Sequence, residues 1–147
     1  MDYQTIFQRY ELKYQMNLEQ KQRLLDVLGD SLRPDRFGRS TICNIYFDTA
    51  DCRLIRRSLE KPVYKEKLRL RSYGVSAPDS AVFLELKKKY QDVVYKRRVG
   101  LGEAQAMNCL LSGAPLPESS QIGREIDYFR SFYRELFPTV VLSYERE

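Results

Sequence analysis

Residues 64–73 read YKEKLRLRSY, with Lys65, Lys67, Arg69 and Arg71 at every second position and Glu66, Leu68 and Leu70 between them. Side chains of an extended strand alternate between the two faces of a sheet, so this segment predicts a strand that is cationic on one side and apolar on the other. The next run, AVFLELKKKY at 81–90, repeats the arrangement: Glu85, Lys87 and Lys89 share one parity, and Val82, Leu84 and Leu86 share the other. Lys96 and Arg98 in VVYKRRVGL (93–101) extend the charged face, as do Arg9, Glu11 and Lys13 in a first strand read from Phe7 to Tyr14. Gln91-Asp92 suits a two-residue hairpin, and the turn-forming run GVSAPDS at 74–80 separates the first two of these strands. The middle of the chain is therefore expected to be an antiparallel meander.

For any one strand, a charged parity reads most simply as a solvated sheet surface. Like charges opposite one another on neighbouring strands repel, however, and an ordinary solvent face mixes signs. A cationic face that persists across four strands implies an anion that offsets the repulsion. Arginine supplies planar bidentate donors and lysine a movable point charge, a combination suited to a run of phosphoryl oxygens. The acids on that parity, Glu11 and Glu85, are candidates for a metal ion that such phosphates would also ligate. No Gly-rich phosphate loop is present, so the phosphates would be held by side chains from strands.

The rest of the chain reads as follows. Asn17, with Gln20 three residues on, is a helix N-cap, and Leu24, Leu25, Leu28 and Leu32 recur at helical spacing until Pro34. Thr41–Asp48 is a strand, 51–59 a short helical connection, 102–112 a short helix and 123–137 a longer one that stops at Pro138; Thr139–Tyr144 is a last strand. The class is α+β. A chain of 147 residues fits one domain, taken as 1–147, and a net charge of +5 with a pI near 9.1 favours an anionic partner. With no histidine and three cysteines in no CxxC pair, Ser-His and Cys-His nucleophiles and the usual zinc sites are excluded. No apolar run approaches the ~20 residues of a membrane-spanning helix, and the polar start from Met1 to Gln4 lacks a signal peptide's features, so a cytoplasmic setting is expected. RNA-binding sheets stack bases on exposed aromatics, and Tyr73 is the clearest aromatic on the cationic parity, so nucleic acid ranks low as a partner.

Six segments match, in order, a known pattern: RYELKY at 9–14, NIYFDT at 44–49, KEKLRLRSYG at 65–74, FLELKKK at 83–89, YKRRVGL at 95–101 and LSYERE at 142–147. The chain resembles the VTC domain, a polyphosphate polymerase domain of the triphosphate tunnel metalloenzyme superfamily. The resemblance implies an antiparallel β-tunnel with a basic interior, helices packed outside and a divalent metal, manganese or magnesium. It implies ATP and polyphosphate as partners, with the terminal phosphate of ATP passed to a polyphosphate chain. By position Lys13, Arg69, Arg71, Lys87 and Arg146 resemble the family's phosphate contacts, with Arg69, Arg71 and Lys87 as the catalytic set. Lys65, Lys67, Lys89, Lys96 and Arg98 complete the phosphate-binding candidates. Relatives continue past the YERE segment, so the chain is expected to hold the N-terminal two-thirds of the fold. Such an incomplete tunnel would leave a sheet edge open or borrow strands from another copy. Arg146 shares parity with Val140, Leu142 and Tyr144, and reaches the basic side only through a bulge or a change of role for that parity. A triphosphate hydrolase of the same fold and a non-catalytic polyphosphate-binding module are the alternatives.

Overall fold

The structure is a computed structural model that describes residues 4–147 except Pro34, Arg36 and Glu118. The expected helix stop at Pro34, and Met1 to Tyr3 of the polar start, lie outside the described residues. In chain order the elements are β1 (Ile6–Tyr10), α1 (Leu18–Leu28) with a 3-10 turn (Gly29–Ser31), β2 (Ser40–Asp48), α2 (Arg53–Leu59) and β3 (Tyr64–Tyr73). There follow β4 (Ala81–Tyr90), β5 (Val93–Gly102), α3 (Glu103–Ser112), α4 (Gln121–Tyr133) and β6 (Phe137–Arg146). The strands form one six-stranded sheet in the order β1-β5-β4-β3-β2-β6, with antiparallel neighbours throughout. The architecture is the expected α+β arrangement, an antiparallel tunnel-type sheet with helices outside. In this chain the sheet is open, and β1 and β6 are its edges.

The meander sets the register. Gln91 and Asp92 adopt left-handed φ values of 44° and 67°, the geometry of a type I′ hairpin, and Tyr90 pairs with Val93 across them. The pairing then runs Lys89 with Lys65, Lys87 with Lys67 and Glu85 with Arg69 towards β3, and Lys87 with Lys96 and Glu85 with Arg98 towards β5. Residues directly opposite share a face, so the cations of β3, β4 and β5 do lie on one side of the sheet.

The other side is the core. Leu68, Leu70, Val82, Leu84, Leu86, Val99 and Leu101 pack with Phe47 against Leu54 of α2, Ala106 and Leu110 of α3, and Ile126 and Phe129 of α4. Each fully buried aliphatic side chain contributes about 1.5–3 kcal/mol of transfer free energy. Polar groups tie the helices down. Asp48, at the end of β2, accepts hydrogen bonds from the backbone N–H groups of Leu54 (2.8 Å) and Ile55 (3.0 Å) and so caps α2. Arg130 of α4 donates to the carbonyls of Cys109 and Ala114, satisfying the C-terminal end of α3 and the loop after it.

Two expectations, the bounds of the first strand and of the last helix, need correction. The first strand ends at Tyr10 rather than Tyr14, which places Glu11 and Lys13 in the connection that follows it. The α1 leucines sit outside the core: the capping box of Asn17 and Gln20 forms, yet Leu24 and Leu25 are 41% and 40% exposed. Helical periodicity marks an amphipathic surface, and it does not supply a partner for that surface. The last helix ends at Tyr133, four residues before Phe137, where β6 begins. Its pairing with β2 jumps from Val140 opposite Tyr46 to Pro138 opposite Phe47, so Thr139 is an extra residue. Proline has no N–H for the ladder, and a bulge there costs little. Beyond it Val140, Leu142, Tyr144 and Arg146 fall on the same side as Asn44, Tyr46 and the cations. No helix of the described residues is long and apolar enough to cross a membrane.

Leu84, which has no exposed surface, and Leu24 of α1 provide a direct test of where the core sits. Leu84→Ala is expected to lower stability by about 2–5 kcal/mol and Leu24→Ala by less than about 1 kcal/mol, as read from urea midpoints. Equal costs would put α1 inside the core.

Candidate functional site

The cationic side of the sheet is organised around one acid. Glu85 lies at the centre of β4 with 0% exposure, directly opposite Arg69 on β3 and Arg98 on β5. Arg69 donates from Nε to Oε2 at 2.8 Å, with Nη2 at 2.6 Å. Lys96 Nζ and Arg98 Nη1 stand 2.9 and 3.8 Å from Oε1, and Arg71 Nε stands 3.9 Å from Oε2. Burial alone would push this carboxyl up; Arg69, Lys96 and Arg71 outweigh it and hold Glu85 below the usual carboxylate range.

The same arginines are fixed from their other sides. Arg69 Nη1 donates to Tyr46 Oη at 3.0 Å, Arg71 Nε to Asn44 Oδ1 at 2.9 Å and Arg71 Nη2 to Tyr144 Oη at 3.3 Å. Arg98 stands over the rings of Phe7 and Phe83, and Lys96 over Phe7 at 4.6 Å. This end of the basic face is largely buried and held in place.

Towards the α2 end of the face the side chains change to lysine and open onto a cleft of about 420 Å³. Lys13, Lys65, Lys67, Arg69, Lys87 and Lys89 line it, with Glu11, Tyr46 and Ser58. Lys87 and Lys13 reach Glu11 at 3.1 and 3.6 Å, Lys65 donates to the Ser58 carbonyl at 3.3 Å, and Lys89 pairs with Asp92 at 2.7 Å. Burial opposes ionisation of Glu11, but Lys87, Lys13 and Arg9 hold its carboxyl below the usual range. Lys67 has no such partner among the described residues, and burial together with Lys65, Lys87 and Lys13 pushes its ammonium below the ordinary lysine range.

Parity thus brings Lys13, Lys65, Lys67, Arg69, Lys87 and Lys89 to one opening. Arg71, Lys96 and Arg98 lie on the same face but gather on Glu85 rather than on the cleft wall. Arg146 is on that face too, opposite Ser40 at the far end of β2, where it pairs with Asp35 at 3.6 Å. The sequence reading missed Asn44, Tyr46 and Tyr144, which orient the two arginines. The signal was available for the first two, since TICNIYFD places Asn44 and Tyr46 on one parity.

The model of the VTC domain family matches residues 8–147. The chain belongs to the VTC domain family. No curated protein matches it. A crystal structure described as that of a proposed adenylate cyclase from Bacillus halodurans is similar to this VTC domain at 18% identity and a TM-score of 0.55. The match covers 95% of this chain and 62% of that one, so this VTC domain spans under two-thirds of its structural neighbour's length. At that identity the likeness is one of fold.

Glu85→Gln removes the charge that the buried cations share and is expected to cost about 3–5 kcal/mol at pH 7. Because the folded-state pKa of Glu85 is depressed, its stabilisation is complete above the unfolded value of about 4.3 and is lost as pH falls through the folded value. The wild-type chain should therefore lose more stability between pH 6 and pH 3 than Glu85→Gln does, measured by denaturant midpoints. Parallel curves would contradict the assignment.

Proposed function

We propose that the lysine-lined cleft binds a run of phosphoryl groups and that the full domain transfers the terminal phosphate of ATP to a polyphosphate chain. The observation that carries this reading is the concentration of Lys13, Lys65, Lys67, Lys87, Lys89 and Arg69 around one opening whose two acids are Glu11 and Glu66, the latter on the opposite parity and bonded by the Tyr64 and Tyr133 hydroxyls. An anion with many equivalent oxygens in line satisfies such a row better than a single phosphate does.

Phosphoryl transfer needs little covalent help from a protein, so positioning and charge stabilisation supply most of the catalysis. Lys87 and Arg69 are the proposed contacts to the reacting phosphates at the cleft. Arg71 acts behind them: it shares Glu85 with Arg69 and keeps that arginine's neighbourhood rigid. An acceptor phosphate oxygen is already anionic and needs no general base. A hydrolase would need a base for water, and Glu11, held below the usual range by Lys87 and Lys13, is a poor one. This favours transfer over hydrolysis.

The family's divalent metal, manganese or magnesium, would neutralise charge developing on the bridging phosphate oxygens. Glu85 does not fit as its ligand, because it is enclosed and already shared by Arg69, Arg71, Lys96 and Arg98. We assign it the part of a buried counter-ion. Glu11 fits as a single carboxylate, the pattern of magnesium sites completed by substrate phosphates. No group of three acidic, cysteine or histidine side chains exists among the described residues to build a cage without substrate.

Calorimetric titration with tripolyphosphate tests the site. Lys65→Met/Lys87→Met should bind about a hundredfold or more weakly, since each charged contact is worth about 1.5–3 kcal/mol. Lys88→Met/Arg124→Met, with Lys88 on the opposite face, should change affinity by less than about threefold. Equal losses would mean that binding follows net charge alone. Incubation with ATP and manganese then separates the reactions: long polyphosphate supports transfer, orthophosphate supports hydrolysis, and neither product leaves a binding module.

A further inference from the structure

The edge of the sheet formed by β6 is bare. The strand runs 10 residues, all of them exposed, and its one neighbour among the described strands is β2. Natural edge strands are blunted by short length, charge, proline or a bulge. The opposite edge meets two of these conditions, since β1 is 5 residues long and carries Arg9. In β6 the proline and the bulge are confined to Pro138 and Thr139, and the run from Val140 to Tyr144 is uncharged and rich in strand-forming side chains. Exposed apolar side chains stand on both of its faces, Leu142 and Tyr144 on the basic side and Val141, 76% exposed, on the other. Helix α1, tied to the end of the strand by the ion pair of Lys21 with Glu147, adds the exposed Leu18, Leu24 and Leu25. A compact monomer of 17.4 kDa exposes about 7,850 Å², whereas this chain exposes 10651 Å². The surplus of about 2,800 Å² exceeds the share that each partner gives to a permanent homodimer interface, about 1,000–2,500 Å².

We propose that β6 receives a second copy of this chain: two β6 strands pair antiparallel about a twofold axis at Ser143 and join the two sheets into one. An isologous contact of this kind closes on itself, whereas β6 against β1 of another copy would leave a free edge for the next addition. The bulge decides the register. Pairing has to keep every side chain on its own face, and the register centred on Ser143 uses the whole regular run from Val140 to Arg146. It sets Leu142 opposite the partner's Tyr144, Val141 opposite the partner's Glu145 and Val140 opposite the partner's Arg146. No like charges face one another. A register centred on Leu142 would carry the pairing into the bulge and set Pro138, which has no N–H, opposite Arg146. The twofold axis stands perpendicular to the sheet, so the basic sides of both copies face the same way. The cleft lysines of β3 and β4 are separated from the joint by β2 and β6, and the proposal stands apart from the phosphate-chain reading.

Val141 is the probe, because a single copy tolerates any side chain at so exposed a position and the pairing sets it against Glu145. Val141→Glu brings two carboxylates together at both symmetric places, and Val141→Lys puts an ammonium there instead. Arg39 and Thr41, which hold Glu145 from the β2 side, are common to both variants. Sedimentation equilibrium of the full chain should show a wild-type dimer at micromolar concentration. Val141→Glu should dissociate about tenfold or more readily, and Val141→Lys no more readily than the wild type. Hydrogen exchange should find β6 amides protected in the dimer and released in Val141→Glu, while tripolyphosphate affinity stays at the wild-type value. A monomeric wild-type chain overturns the proposal. So does a dimer that Val141→Glu and Val141→Lys affect alike, since the contact would then lie elsewhere. Either result leaves the phosphate-chain reading where it stood.

Discussion

A carboxylate with no access to water, Glu85, allows this sheet to exist in its present form. Two unit charges 4 Å apart interact by about 4 kcal/mol at an effective dielectric of 20, so side-by-side cations on adjacent strands would oppose pairing of β3, β4 and β5. Glu85 sits where those strands meet and takes Arg69, Arg71, Lys96 and Arg98 at once. A buried charge is stable only when it is paired, and here each side of the arrangement satisfies that condition for the other. The apolar face beneath contributes the free energy of folding; Glu85 decides that a strongly basic face can sit on top of it.

The arrangement divides the face into two parts. Around Glu85 stand Lys96 and three arginines, and the planar forks of Arg69 and Arg71 are also held by Tyr46, Asn44 and Tyr144. Beyond Arg69 the side chains are lysines on flexible stems around an open cleft. Arginine holds a fixed geometry with little loss of freedom, whereas lysine moves a compact charge to where an oxygen lies. A phosphate chain advancing through such a site needs both: a rigid stop for the reacting group and movable contacts along the rest. Glu11 tethers Lys87 and Lys13 loosely, being partly exposed itself, and its release on ligand entry would free both cations for phosphate.

Much of this was legible in the residues. The alternation in YKEKLRLRSY and AVFLELKKKY fixes which face each side chain takes, and Gln91-Asp92 fixes the hairpin, so the register of Lys87 with Lys96 and of Glu85 with Arg98 follows. Parity assigns a face and not a place along it, which is why Arg71, Lys96, Arg98 and Arg146 read as equal to the cleft lysines although they end elsewhere. Nor could it reveal that Glu85 would be enclosed, because enclosure depends on four side chains arriving from the two flanking strands. The bulge at Thr139, which turns Arg146 and Tyr144 to the basic side, depends on where Pro138 meets β2. The NIYFDT segment carries two meanings that only the structure separates: Asn44 and Tyr46 serve the arginines, and Asp48 caps α2.

The central claim is that the row's lysine end, and not the protein's overall positive charge, receives the phosphate chain. Competitive acylation of lysines, read residue by residue by mass spectrometry with and without tripolyphosphate, measures it directly. The account predicts strong protection of Lys65, Lys67 and Lys87, with Lys88, their neighbour on the opposite face, and Lys61, outside the cleft, reacting as before. Protection spread evenly over all of these lysines, or absent from Lys67 and Lys87, would contradict it.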